Sequence, residues 1–213
     1  AAAPADARHM VDLGTGVGAA GLAFLTRCPG AQGLLVEIDP ALAALATENA
    51  AANGLSDRCR VVNADVGALA RPGGPVEPGS ADLVLMNPPF NAQTGHQTSP
   101  YGGRALAHMA GDELLLAWVK SAYRCLATTG RLCLIHRPEA LASILSALGG
   151  RFGACELIPV HSSSTAPAVR LLVRATKGRR TPPVLRPSLV LAAADGTPSP
   201  AAEAILRDAQ GLT

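Results

Sequence analysis

Aromatic side chains are scarce in this chain, with one Trp, two Tyr and three Phe among 213 residues. A core must therefore be built from aliphatics, and Ala, Leu, Val and Gly supply most of a hydrophobic fraction of 48%. With 16% charged residues, that composition excludes disorder as the default and fits one large domain or one domain with an appendage. Cysteine is present but unpaired in pattern. Cys28, Cys59, Cys125, Cys133 and Cys155 are odd in number and contain no C-x-x-C spacing. That argues against a disulfide framework or a zinc site, and makes the reducing cytoplasm the expected location. The five histidines are scattered, so no metal is expected. A run of about 18 apolar residues is missing, as is a basic-then-apolar leader, so no membrane partner is expected. The net charge of +2 is too small to imply, by itself, an extended nucleic-acid surface.

What the chain does contain is an alternation of short apolar runs and helical stretches from His9 to about Arg174. "HMVDL", "GLLVE", "RVVNA", "ADLVLM", "RLCLIH", "CELIPVH" and "AVRLLVRA" read as seven strands. Between them, Gly18–Cys28, the stretch after Asp39-Pro40, Asp112–Leu126 and Pro138–Leu148 read as helices. Asp39 is a good cap with Pro at the first helical position, and Asn53-Gly54 is a good stop. Strands alternating with helices predict an α/β, Rossmann-like sheet, mostly parallel, with helices on both faces. The last two strands, joined by "SSSTAPA", should pair antiparallel. Residues 1–176 are expected to form this domain. Residues 177–213 are expected to be a Pro-rich extension packed on it, closing with a short helix from about Pro200 to Ala209. No internal repeat is visible.

"VDLGTGVGAAG" places Gly14, Gly16 and Gly18 between the first strand and the first helix, where glycines allow a tight turn and close approach of a ligand. Glu37 follows at the end of the second strand, placed to accept both hydroxyls of a ribose. With Ala19 as third small residue the loop also satisfies the dinucleotide pattern, so the glycines alone do not separate two cofactors. Asp12 leans away from NAD. A negative charge just before the glycines suits a cationic amino-acid group, as in S-adenosylmethionine, and does little for a pyrophosphate. Asp65, just past the third strand, is placed to accept from an adenine amino group. A strand-end Asp is often only a helix cap, which is the reading preferred for Asp39. The ordered set Asp12, Glu37, Asp65 is stronger than any member of it.

The fourth strand leaves through Asn87-Pro88-Pro89-Phe90. An exocyclic amine or amide nitrogen is a poor nucleophile because its lone pair is delocalised. Two acceptors gripping its hydrogens draw it towards tetrahedral geometry and free that pair. The Asn87 side-chain oxygen and the Pro88 carbonyl can be those acceptors, held by prolines that restrict the backbone, and Phe90 offers a face for a planar substrate. A rigid proline turn is the bland alternative, and it loses weight once the glycine loop and three acids precede the motif in order.

"VDLGTGVG", "VEIDP", "NAD" and "NPPF" in this order resemble a class I S-adenosylmethionine-dependent methyltransferase of the amino-methylating kind. "SPYGGRALAHM", "LIHRPEALASIL", "RFG", "LLVRATKGRR" and "AEAILRDA" extend the resemblance, over nearly the whole chain, to bacterial tRNA1(Val) adenine N6-methyltransferases, especially their alphaproteobacterial relatives. The resemblance implies a seven-stranded sheet with an antiparallel final strand and S-adenosyl-L-methionine as cofactor. It puts Asp12, Gly14, Thr15, Gly16 and Gly18 at the methionine end, Glu37 on the ribose, Asp65 near adenine, Ile38 and Val66 among the cofactor contacts, and Asn87 to Phe90 as the catalytic clamp, with Asn87 also touching cofactor. Such proteins usually carry an N-terminal segment that packs over the cleft. Only eight residues precede "HMVDL", so either that segment lies outside this sequence or this member has lost it.

RNA, most of all tRNA, is the expected partner, with the oligomeric state left open between monomer and homodimer. Residues 1–150 hold 10 Lys/Arg against 12 Asp/Glu, whereas residues 151–213 hold 8 against 4. Arg170, Arg174, Lys177, Arg179 and Arg180 fall in one acid-free stretch that could bind phosphates or simply be solvated. In the polar stretch Asn91–Met109, Tyr101 could stack on a base and Arg104 could meet a phosphate. His108 reads first as a helix-packing residue and Trp118 as core. Alternatives within the motif are protein glutamine N5, guanine N2 of ribosomal RNA and adenine in DNA. An NAD-dependent oxidoreductase leaves the Asn-Pro-Pro-Phe turn unexplained, and a silent RNA-binding relative would not need Asp12, Glu37 and Asn87 intact. Cysteine-based C5 methylation lacks its Pro-Cys nucleophile after the fourth strand.

Overall fold

Met10 and Val11, Leu35 and Val36, Leu83 and Val84, and Cys133 and Leu134 are all buried, yet each adjacent pair divides between two hydrophobic cores. Strands covered on both faces produce that division, because successive side chains point to opposite sides. The computed structural model describes residues 2–71, 73–89, 103–207 and 210–212, the side chains of residues 103–110 excepted. The elements run β1 (His9–Leu13), α1 (Ala19–Arg27), β2 (Gln32–Glu37), α2 (Pro40–Ala52), β3 (Cys59–Asn63), β4 (Ala81–Met86), α3 (Gly103–Cys125), β5 (Leu126–His136), α4 (Leu141–Leu148), β6 (Phe152–Ser163), β7 (Ala168–Lys177), β8 (Val184–Leu185), β9 (Leu189–Ala192) and α5 (Pro200–Arg207). Leu22 and Leu25 of α1 and Ala50 of α2 join the core on one side. Leu115 and Val119 of α3 and Ile144 of α4 join the other.

The sheet order is β3-β2-β1-β4-β5-β7-β6-β8, with β9 also on β6. β1 to β5 pair in parallel, and β7 is antiparallel to both its neighbours. This is the expected mostly parallel, doubly covered sheet, but with nine strands where seven were read. The extra two, β8 and β9, are short apolar runs between prolines that extend the sheet beside β6 in parallel. Proline is tolerated at a sheet edge, where no ladder hydrogen bond is lost, so the Pro-rich composition masked them. Helix α3 is also longer than predicted: its backbone is helical from Gly103 rather than Asp112. Ala105, Leu106, Ala107, Met109 and Ala110 are good helix formers, and propagating an existing helix is far easier than starting one. Among the described residues, no helix is long and apolar enough to cross a membrane.

Candidate cofactor and substrate site

The strand register assembles the site. Leu13 stands beside Val36 on one side and Met86 on the other, and Glu37 stands beside Asn63. The glycine loop, Glu37-Ile38, the Asn63–Asp65 exit and Asn87-Pro88-Pro89 therefore leave the sheet together at its C-terminal edge. The connections diverge to left and right between β1 and β4, and crevices at such switch points are where open α/β sheets bind ligands.

Asp12 is buried, with only 3% of its surface exposed. Its Oδ2 accepts from Thr15 Oγ1 at 2.7 Å and from the Gly21 N–H at 3.0 Å. Burial pushes its carboxyl up to about 6 despite those two bonds, with the nearby Glu37 charge adding to the rise. Glu37, 7% exposed, braces two loops at once. Its Oε2 accepts from the Gly16 N–H at 2.8 Å, and its Oε1 from the Asp39 N–H at 3.0 Å. The Asn63 amide, a residue the sequence reading passed over, donates to the Glu37 and Ile38 carbonyls at 2.9 and 2.8 Å and fixes the exit of β2. Its signals were a polar residue ending an otherwise apolar strand and its place at the head of the "NAD" motif.

Gly14 and Gly16 have φ of 63° and 59°, the left-handed region that non-glycine residues avoid. At Gly14 there is a second constraint, because a Cβ there would fall on the Trp118 indole. Trp118, read from sequence as core, is half-buried and lies from α3 against the loop. No local motif announces that contact. At Gly16 a Cβ would meet nothing within 4 Å, so the backbone is open on that side. Gly18, with φ of 93°, starts α1. Asp65 Oδ1 accepts from the Gly67 N–H at 2.7 Å, capping a short turn that buries Val66. Its other oxygen makes no hydrogen bond among the described residues. Asp39 is the cap expected of it, accepting from the Ala41 and Leu42 N–H groups at 2.8 and 3.3 Å.

The donor set suits a nucleoside carrying a charged amino acid. There is a buried carboxylate beside open glycine backbone, a second carboxylate one strand away, and Ile38, an apolar side chain left 66% exposed at the rim. Asn87 is the first exposed residue after four buried ones in β4, with Pro88 buried and Pro89 exposed. Phe90 and Tyr101 lie outside the described residues, as do the side chains of Arg104 and His108.

Arg174, Lys177, Arg179 and Arg180 do not join this site. Arg131 pairs with Thr176 and Cys133 with Arg174, so β7 runs away from the glycine loop. Lys177, Arg179 and Arg180 come out beyond the Arg131–Thr176 pair, about 20 Å or more along the strands from the end of β5. The reversal at the β6–β7 hairpin is the physical reason. Lys177 Nζ donates to the carbonyls of Tyr123 and Leu126 at 2.8 and 2.6 Å, closing the end of α3. Arg174 donates to Glu156 Oε2 at 3.1 Å and to the carbonyls of Ala2 and Leu212. Arg179 borders a polar cleft of about 730 Å³ that also touches Arg8, Asp82, Thr129 and Arg131. That cleft contains none of the acids or glycines described above.

A family model for the methyltransferase small domain matches residues 2–162. The release factor glutamine methyltransferase of Chlorobaculum tepidum is 30% identical over 154 residues, covering 70% of this chain and 52% of that protein. The tRNA1(Val) (adenine(37)-N6)-methyltransferase of Porphyromonas gingivalis is 34% identical over 139 residues, covering 64% of this chain and 52% of that protein. The chain thus spans about half the length of these curated relatives. Among solved structures, a predicted O-methyltransferase from Agrobacterium tumefaciens superimposes with a TM-score of 0.81 at 29% identity, covering 99% of this chain and 93% of that one.

Proposed function

Because the chain belongs to the methyltransferase small domain family, we propose that it transfers the methyl group of S-adenosyl-L-methionine to an exocyclic amino nitrogen, adenine N6 in a tRNA. One observation carries this reading: the Asn87-Pro88-Pro89 exit of β4 stands beside the glycine loop that leaves β1, with Glu37 at the end of β2 on the other side of that loop. Asp12 faces the ammonium of the methionine moiety, Glu37 the ribose hydroxyls and Asp65 the adenine amino group. Ile38 and Val66 supply apolar contact around the base. S-adenosyl-L-methionine supplies an electrophilic methyl on a sulfonium. The Asn87 side-chain oxygen and the Pro88 carbonyl accept the two hydrogens of the target amine and free its lone pair. The proton is lost late, to water, and no side chain is required as an obligatory base. Phe90, Tyr101 and Arg104, whose side chains lie outside the described residues, are assigned to the substrate from the sequence alone. The tRNA1(Val) relative and the "LIHRPEALASIL" and "SPYGGRALAHM" segments support adenine as acceptor.

Protein glutamine is the second reading, favoured by the release factor relative, because the same clamp fits a carboxamide. The test is methyl-labelled S-adenosyl-L-methionine offered with separate pools of unmodified tRNA, ribosomal RNA, DNA and protein, followed by digestion. Label in N6-methyladenosine from tRNA is expected. Label in glutamine would transfer the mechanism to the second substrate, and label in neither pool would reject both acceptors.

Asp12 makes a separate prediction. Its folded carboxyl holds a proton up to about pH 6, against an ordinary value of 3.8. The native state therefore binds the extra proton between roughly pH 4 and 6, and Asp12 makes the protein less stable as pH rises through that window. Cofactor binding should run the other way. The carboxyl must ionise to face an ammonium, so affinity for S-adenosyl-L-methionine is expected to be flat above about pH 6 and to fall below it. 5′-Methylthioadenosine, which lacks the amino acid, should show no such inflection in the same calorimetric titration. An inflection shared by both ligands would remove Asp12 from the methionine end.

A further inference from the structure

Trp118 is the only Trp in the chain, and it stands where the helix that follows the proline turn meets the glycine loop. α3 has 23 residues, about 34 Å of helix, whereas the six residues of β4 span about 20 Å. α3 ends at Cys125, and the next residue, Leu126, stands opposite Ala81 at the start of β4. The N-terminal part of α3 therefore reaches past the strand ends, where the Asn87-Pro88-Pro89 exit and the glycine loop leave the sheet. Helical side chains lean towards the helix N-terminus. That lean carries the indole up to Gly14, the first residue after β1.

A Cβ at Gly14 would fall on Trp118 Cη2, with Cζ3 and Cζ2 at 3.0 and 3.4 Å, so the outer edge of the ring lies against the glycine backbone. At Gly16 the corresponding direction is open. The loop is thus closed by an aromatic edge at one glycine and bare at the other. Leu115 and Val119 of α3 share a core with Val66 and Leu69, so the same helix also backs the turn that Asp65 caps. An indole has two side-chain torsions and is stiff once packed, whereas glycine is the residue with least restraint of its own. We propose that Trp118 is a positioning residue for the cofactor: its indole holds Gly14, at φ 63°, in the left-handed conformation that presents the loop to the methionine end of S-adenosyl-L-methionine. The inference rests on the S-adenosyl-L-methionine reading above and gives a role to a residue that reads from sequence as core. In that role the ring acts through the Gly14 backbone. Its effect falls on the amino-acid part of the cofactor and spares the nucleoside, which is assigned to Glu37 and Asp65 at the ends of β2 and β3.

The experiment titrates wild-type protein, Trp118→Phe and Trp118→Ala with S-adenosyl-L-methionine and with 5′-methylthioadenosine, which keeps the nucleoside and lacks the amino acid. Trp118→Ala is expected to bind S-adenosyl-L-methionine about tenfold more weakly, and methylthioadenosine within about twofold of wild type. Trp118→Phe keeps an aromatic edge and should recover most of the loss. Equal weakening for both ligands, or a lower Tm with both affinities intact, would reduce Trp118 to packing and overturn the proposal. Wild-type fluorescence gives a second readout that needs no variant. The single indole should respond to S-adenosyl-L-methionine and much less to methylthioadenosine, and equal responses would also overturn the role. Gly14→Ala is then compared in the wild-type and Trp118→Ala backgrounds by thermal unfolding. It should lower Tm less in Trp118→Ala, where the collision with the indole is gone and only the strain of a left-handed alanine remains. Equal falls would mean that the indole does not bear on Gly14. Binding of neither ligand to the wild type would instead remove the S-adenosyl-L-methionine reading itself, and the role of Trp118 with it.

Discussion

Asn87→Ala is expected to lower kcat for methyl transfer by about a hundred- to a thousand-fold, the loss seen when one preorganised hydrogen-bonding group is removed from a reacting centre. Cofactor affinity should change little. The structure makes this a clean substitution. Leu83, Val84, Leu85 and Met86 of β4 are all buried, but Asn87 is exposed, and no packed side chain is removed with it. Asn87→Asp keeps an acceptor oxygen at the same reach and should retain more turnover than Ala. Single-turnover kinetics with labelled cofactor, together with a binding titration, separates the two effects. Equal losses in turnover and in cofactor affinity would make Asn87 a cofactor residue and leave the clamp without its side-chain acceptor.

The fold was legible where local chemistry and tertiary demand agree. Asp39-Pro40 marks the start of α2 because a cap and a fixed φ act within one turn. The apolar runs mark the strands because doubly covered strands need apolar residues on both faces. The misreadings share a cause. Val184-Leu185 and Leu189–Ala192 become strands only because β6 offers them an edge, and nothing within four residues of either reveals that. Likewise α3 reaches back to Gly103, since a helix once nucleated continues through ordinary helix formers.

At the site, the order of glycines, acids and the proline turn was visible because each is tied to the end of a particular strand. What the sequence hides is direction. Arg170 and Arg179 are nine positions apart in one basic run, yet β7 carries them to opposite ends of the sheet. Counting charge along the chain merges the two, and only the antiparallel register divides them. Trp118 is a similar case: its contact with Gly14 depends on how α3 crosses the sheet.

Glu37→Ala should produce the second large effect, on affinity rather than turnover. The Glu37 carboxylate accepts from the Gly16 and Asp39 N–H groups, so it braces the glycine loop in addition to the ribose contact proposed for it. Hydrogen bonds to a charged group contribute about 1.5–3 kcal/mol each. Removing the acceptor for the ribose is therefore expected to weaken S-adenosyl-L-methionine binding by about a hundredfold. Leaving two backbone donors without their acceptor should also lower the Tm of the cofactor-free protein. At roughly 2–4 °C per kcal/mol for a chain of this size, the fall should be several degrees. The two readouts divide the roles. A lower Tm with unchanged calorimetric affinity would reduce Glu37 to a strut for the loop. Weakened affinity with an unchanged Tm would mean that the bonds to Gly16 and Asp39 add nothing to stability. Only the joint loss is consistent with one carboxylate that both shapes the loop and holds the ribose.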